Sequence, residues 1–136
     1  MTVQQSATHT AAAIEYQAAS EGSAIHDVSH FGRLKASGAD ALDLLNRLST
    51  NKVVDLQPGQ GAPTILTTDR GRILDLVAVV NTGGYVLLIT SAGAQQTVID
   101  WLDKYTIMED LAVEDVTAAT RMLAVFGPGS RATVET

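Results

Sequence analysis

Asp27 and His30 stand three residues apart in Asp27-Val28-Ser29-His30, directly ahead of Phe31 and Gly32-Arg33. At that spacing in a bend the two side chains can hydrogen-bond each other or nearby backbone, and a neutral imidazole can shuttle a proton near pH 7. The same residues can instead satisfy the backbone of a turn and hold the strand that follows. Phe31 offers a ring for stacking on a flat heterocycle, or for core packing. Asn51, in Thr50-Asn51, can cap a turn through its own backbone or exchange donors and acceptors with a ligand edge. Arg72, in Gly71-Arg72-Ile73-Leu74-Asp75, can present its guanidinium to a carboxylate or stand solvated at a hairpin shoulder. Asp75 can stabilise positive charge developing in a water-poor site, or cap a strand start.

Other chemistries find no support in the residue pattern. Ser29 and His30 are adjacent and no nucleophile elbow is present, so a Ser/His/Asp triad has no basis. His9 and His26, with scattered acids, lack metal-ligand spacing, and no metal is expected. Gly127-Pro128-Gly129-Ser130 has neither the glycine pattern nor the lysine of a phosphate loop. With no cysteine, thiol nucleophiles and disulfides are excluded. A net charge of −6, with Lys and Arg dispersed, argues against nucleic acid, which needs a basic face. No apolar run approaches ~18 residues and the N-terminus lacks the build of a signal peptide, so no membrane span and a cytoplasmic location are expected.

Several short elements must position these residues. Residues 1–10 are polar and read as a mobile leader, followed by a helix from Ala11 to Ala19 that ends near Gly22. Phe31, Arg33 and Lys35 alternate with Gly32, Leu34 and Ala36 in a period-2 strand that Gly38 breaks. Ser37 or Gly38 can cap a helix over 39–48, with Asp40 in its first turn and Ala41, Leu44, Leu45 and Leu48 as its apolar stripe. Strands are predicted over 63–67 and 72–80, joined by Asp69-Arg70-Gly71 with glycine at a positive-φ position. A third strand over 85–90, a helix over 92–104 and short strands near 112–116 and 121–126 follow. Gly127-Pro128-Gly129 then turns into a helix begun at Ser130. Hairpins broken by single helices predict an α+β fold, a mainly antiparallel sheet with flanking helices. With 46% hydrophobic residues and only 4% aromatic, its core must be built mainly from Leu, Ile, Val and Ala.

In order and spacing, these motifs resemble the folate-binding aminomethyltransferases, the T protein of the glycine cleavage system and its relatives. The series is Asp27-Val28-Ser29-His30, Gly32-Arg33, Ser37-Gly38, Thr50-Asn51, Gly59-Gln60-Gly61, Gly71-Arg72-Ile73-Leu74-Asp75 and Phe126-Gly127-Pro128. It covers most of the chain after Tyr16. The resemblance implies tetrahydrofolate as cofactor, one-carbon transfer as activity, and a lipoyl carrier protein as a possible partner beside folate. It also implies a longer protein, of which residues 21–136 would be a partial, C-terminally truncated folate-binding domain behind a leader and helix over 1–20.

Carried over by position, the resemblance makes Asp75 the candidate catalytic residue and Phe31, His30, Asn51 and Arg72 the candidate folate contacts. Phe31 takes the place of a Met lining the pterin site, and Arg72 can meet the glutamate tail. Three positions depart from the family pattern. The family strand carries two adjacent aspartates, the second projecting toward the reacting centre; here the pair is Asp75-Leu76. Pro63 replaces a Tyr near the folate, and Thr68 replaces an Asn. Neighbours on a strand point to opposite faces, so Asp75 is expected to point away from where the second aspartate acts. The departures leave a second implied function open: a non-catalytic folate-binding paralogue that supports iron–sulfur enzyme maintenance.

Overall fold

The computed structural model describes residues 3–135, which divide into two compact units, one built from residues 3–28 with 122–135 and the other from Ser29–Arg121. The fold is α+β with antiparallel sheets and flanking helices, as the hairpin pattern predicts.

In the first unit, helix α1 runs Val3–Glu21. It is longer than the helix expected over 11–19 and takes in most of the segment read as a leader; residues 1 and 2 lie outside the described residues. Low apolar content does not oppose helix, and no Gly or Pro interrupts the chain before Gly22. The side chains of Ile14 and Tyr16 are exposed. Strand β1 (Ala24–Asp27) pairs antiparallel with the late strand Leu123–Phe126 in a two-stranded ribbon. Gly127, at φ +106, turns the chain toward a short helix over Ser130–Glu135. A side chain there would run into the backbone of Ala19 and Gly22, and the Gly129 N–H donates to Gly22 O at 2.8 Å.

The second unit is a five-stranded antiparallel sheet. In chain order its elements are β2 (Gly32–Ser37), α2 (Ala41–Leu48), β3 (Gly61–Thr67), β4 (Ile73–Asn81), β5 (Val86–Thr90), α3 (Gln95–Tyr105) and β6 (Ala112–Asp115). The strand order is β3-β4-β5-β2-β6. Leu123–Phe126 is therefore β7 and Ser130–Glu135 is α4. Tight turns make the β3–β4 and β4–β5 hairpins, and Gly71 and Gly83 take φ +74 and +97 in them, where a Cβ is unfavourable.

One face of this sheet is the core. Leu34, Ala36, Leu66, Val77, Val79, Val86 and Leu88 alternate inward and meet Ala41 and Leu45 of α2 and Val98, Trp101 and Leu102 of α3. Each large aliphatic side chain so buried contributes about 1.5–3 kcal/mol. The opposite face carries a row across four strands, Pro63, Ala78, Ile89 and Arg33, fixed by the pairs Pro63↔Ala78, Ala78↔Ile89 and Arg33↔Ile89.

The start of α2 differs from its sequence reading. Asp40 holds the N-cap position, not Ser37 or Gly38, and makes no side-chain cap bond. Its carboxylate accepts the Asp110 N–H at 2.7 Å, while Asp110 Oδ2 accepts the Ala39 N–H at 2.9 Å. This reciprocal clasp binds the helix start to the segment that enters β6, and a partner 70 residues away outcompetes the local cap. Gly38 sits inside it at φ +123, where a Cβ would strike the Asp110 carbonyl. Next to it, the Glu109 carboxylate accepts the Ile107 and Met108 N–H groups at 2.9 and 3.1 Å and faces Arg47 at 3.3 Å. Those backbone donors, with the guanidinium, hold its pKa down at about 2. No helix among the described residues is long and apolar enough to cross a membrane.

Candidate functional site

All five predicted site residues lie in the Ser29–Arg121 unit. Two of them form a pair. The rings of His30 and Phe31 stack at 4.5 Å between centroids, tilted by 31°. His30 is exposed and Phe31 is 36% exposed, so the pair presents a flat aromatic surface to solvent just before β2.

Alternation along β4 decides the faces of Asp75 and Leu76. Asp75 shares the inward face with Val77 and Val79 and is only 6% exposed. Its two oxygens accept from one residue: Ser91 Oγ–H at 2.6 Å on Oδ1 and Ser91 N–H at 3.0 Å on Oδ2. The carboxylate thus ties β4 to the turn between β5 and α3. Leu76 points the other way and is 60% exposed. Antiparallel register carries Leu76 and Phe31 in the same direction. Arg33 and Ala78 share the cross-sheet row, and Phe31 precedes Arg33, as Leu76 precedes Ala78, by two residues. Leu76 therefore lies on the outer face toward the end of the sheet at which Phe31 leads into β2, two strands apart or roughly 10 Å.

Asn51 and Arg72 stand elsewhere. Asn51 Nδ2 donates to Pro63 O at 2.8 Å, and its Oδ1 accepts the Lys52 N–H at 2.9 Å. Its own N–H donates to Thr64 Oγ1 at 3.0 Å, so the residue stitches the connector after α2 to the outer edge of β3. Arg72 sits exposed at the shoulder of the β3–β4 turn, and among the described residues only its backbone is engaged, donating to Thr68 Oγ1 and accepting from the Thr68 N–H. Two clefts of about 320 and 150 Å³ open elsewhere in this unit, one beside Arg47, Asp69, Trp101 and Tyr105 and one beside Gly38 and Tyr85. Neither is lined by a predicted site residue. No cluster of His, Asp or Glu suited to a metal occurs among the described residues.

The residue that sequence reasoning missed is Arg33. The sequence reading gave it only a place in the β2 alternation, yet it is 3% exposed. Its Nε–H donates to Thr120 Oγ1 at 2.7 Å. Nη1 donates to Phe31 O and Ser29 O at 2.8 and 3.2 Å, and Nη2 to Thr117 O and Thr120 O at 2.8 and 3.2 Å. The Arg33 N–H also reaches Thr117 Oγ1 at 2.9 Å. The bend that carries His30 and Phe31 is thus bound to the 117–120 loop through one guanidinium. The adjacent Gly32 is closed to any side chain, since a Cβ would meet Thr90 and lie 2.7 Å from Gln95 Cγ. The only local sign was Gly-Arg directly after the aromatic pair.

The profile of the GCVT N-terminal domain family matches residues 3–136. The chain belongs to that family. A probable aminomethyltransferase of Halobacterium salinarum is 37% identical over 120 residues, covering 84% of this chain and 33% of the relative. A putative chloroplastic transferase of Arabidopsis thaliana is 33% identical over 110 residues, covering 80% of this chain and 26% of the relative. The crystal structure of the glycine cleavage system aminomethyltransferase T from Bartonella henselae superposes with a TM-score of 0.78 at 22% identity. That likeness spans 90% of this chain and 34% of the Bartonella protein, and it speaks to the fold alone. The chain thus spans about a quarter to a third of the length of the relatives it matches. Within this GCVT N-terminal domain, Asp75 lies on the inward face of the sheet and Leu76 on the outward face.

Proposed function

We propose that this domain is the folate-facing N-terminal part of a tetrahydrofolate-dependent protein of the aminomethyltransferase kind, acting in one-carbon transfer. The pterin would lie on the outer face of the sheet, at the end toward which Phe31 and Leu76 project. What carries this reading is the open aromatic pair His30–Phe31 at that end, an area suited to a flat heterocycle. Arg72, whose guanidinium has no hydrogen bond or ion pair among the described residues, is free to meet a carboxylate such as the glutamate tail. Asn51 serves the rim, by holding the connector to β3. A lipoyl carrier protein would deliver the aminomethyl group if transfer takes place.

A second reading, a folate-binding paralogue without transfer that supports iron–sulfur enzymes, is favoured by one observation. Both oxygens of Asp75 are held by Ser91 on the inward face, and the outward position beside it carries Leu76. A leucine supplies no charge to stabilise a developing iminium, so electrostatic assistance of transfer is lost at that point. Asp75 then acts as a brace.

Isothermal titration of the complete gene product with tetrahydrofolate is expected to give saturable binding; no binding removes the folate reading. Leu76→Asp separates the two readings. Aminomethyl transfer that appears or rises identifies a degenerate enzyme. Intact folate binding with no change in transfer supports the non-catalytic paralogue.

A further inference from the structure

Arg33 is a buried cation with no ion-pair partner among the described residues, and this is an expensive arrangement in a protein interior. What offsets the cost is a full set of acceptors. All three guanidinium nitrogens donate, to four backbone carbonyls and one hydroxyl at 2.7–3.2 Å. Those carbonyls belong to Ser29 and Phe31 on one side and Thr117 and Thr120 on the other, segments about 87 residues apart in sequence. The bend has no strand ladder of its own there, and the fork stands in for one. A lysine could not do the same, because a point ammonium has three donors on a flexible stem and no planar fork.

We infer that Arg33 is a positioning residue for the outer-face site, holding Phe31 and His30 in their stacked pose by pinning the carbonyls of Ser29 and Phe31 to the 117–120 loop. The inference deepens the proposed function and rests on it only for the identity of the ligand. A binding surface made of two exposed rings on a bend gains affinity when its pose is fixed before the ligand arrives. Arg33 itself touches no ligand, since its donors are spent on backbone. Thr120 supplies both an Oγ and a carbonyl to the fork, and its own hydroxyl is anchored on Val116 O at 2.7 Å.

Two measurements test this. In NMR spectra of the chain, Phe31→Ala defines the His30 ring-proton shifts with no neighbouring ring. Arg33→Lys is expected to move the wild-type shifts to those values and to abolish the cross-peaks between the His30 and Phe31 rings. Unchanged shifts and cross-peaks in Arg33→Lys overturn the inference. Should Arg33→Lys fail to fold, Thr120→Ala, which removes one acceptor on an exposed residue, is expected to shift the His30 signals part of the way. A His30 spectrum identical to wild type in that variant overturns it equally. In the complete gene product, folded Arg33→Lys is expected to bind tetrahydrofolate at least ~10-fold more weakly. A core variant such as Val98→Ala, less stable but remote from the bend, keeps wild-type affinity. Arg33→Lys with undiminished affinity refutes the role. If the wild type binds no folate, the proposed function falls, while the NMR result still decides the role of Arg33.

Discussion

The bond between Asp75 and Ser91 can be measured by a double-mutant cycle, and it bears directly on whether Asp75 is a brace or a reacting group. Oδ1 meets Ser91 Oγ at 2.6 Å, within the range of a charge-assisted O–H···O⁻ bond, and Oδ2 meets the Ser91 N–H at 3.0 Å. Bonds to a charged partner contribute about 1.5–3 kcal/mol each in net terms. Ser91→Ala removes the stronger bond and leaves a nearly buried oxygen short of a donor, a loss of about 2–3 kcal/mol. Asp75→Ala removes both bonds but relieves a desolvated charge, while the exposed Ser91 groups return to water; about 2–4 kcal/mol is expected. With Ala already at position 75, Ser91→Ala should cost close to nothing, so the coupling is about 2 kcal/mol. Urea unfolding followed by the fluorescence of Trp101, the sole tryptophan and a core residue, reads all four corners of the cycle. A coupling below about 0.5 kcal/mol, the scatter of independent sites, would show that the carboxylate does not rest on the Ser91 hydroxyl and would refute the reasoning.

Two further outcomes follow from the clasp at the start of α2. Glu109 has its folded pKa lowered to about 2 from its ordinary value of 4.5, chiefly by the Ile107 N–H. Its contribution is therefore fully present above about pH 4.5 and is lost as pH falls through about 2. Glu109→Gln should lower the urea midpoint at neutral pH and flatten its dependence across that window; an unchanged slope would count against the bonding described. Gly38→Ala forces a Cβ onto the Asp110 carbonyl at φ +123 and is expected to cost more than about 2 kcal/mol, read as a lower midpoint with an unaltered m-value.

Much of the scaffold was legible because its signals are local. The alternation of β2 and β4, the glycine of the β3–β4 turn and the leucine stripe of α2 each report on residues within one or two turns of themselves. Position 76 was legible for the same reason: a period of two sends Asp75 and Leu76 to opposite faces whatever the rest of the chain does. Arg33 and Asp40 were not legible. Asp40 has its local reading, a first-turn acid, displaced by a partner 70 residues away, and Arg33, placed only in the β2 alternation, is held by one 87 residues away. The early start of α1 was missed because a polar sequence was read as a mobile leader, although polarity by itself does not oppose helix.

By itself, then, the sequence determined the family, the order of elements after β1, a strand it did not predict, and the fact that a leucine stands on the side where relatives are expected to carry a carboxylate. Tertiary structure alone decided that Asp75 is spent on Ser91, that Asn51 is spent on the β3 edge, and that a buried guanidinium holds the aromatic bend. The reason is physical: backbone periodicity is set by the steric limits of neighbouring residues, whereas the partner of a donor or a carboxylate is set by which distant segment folds against it.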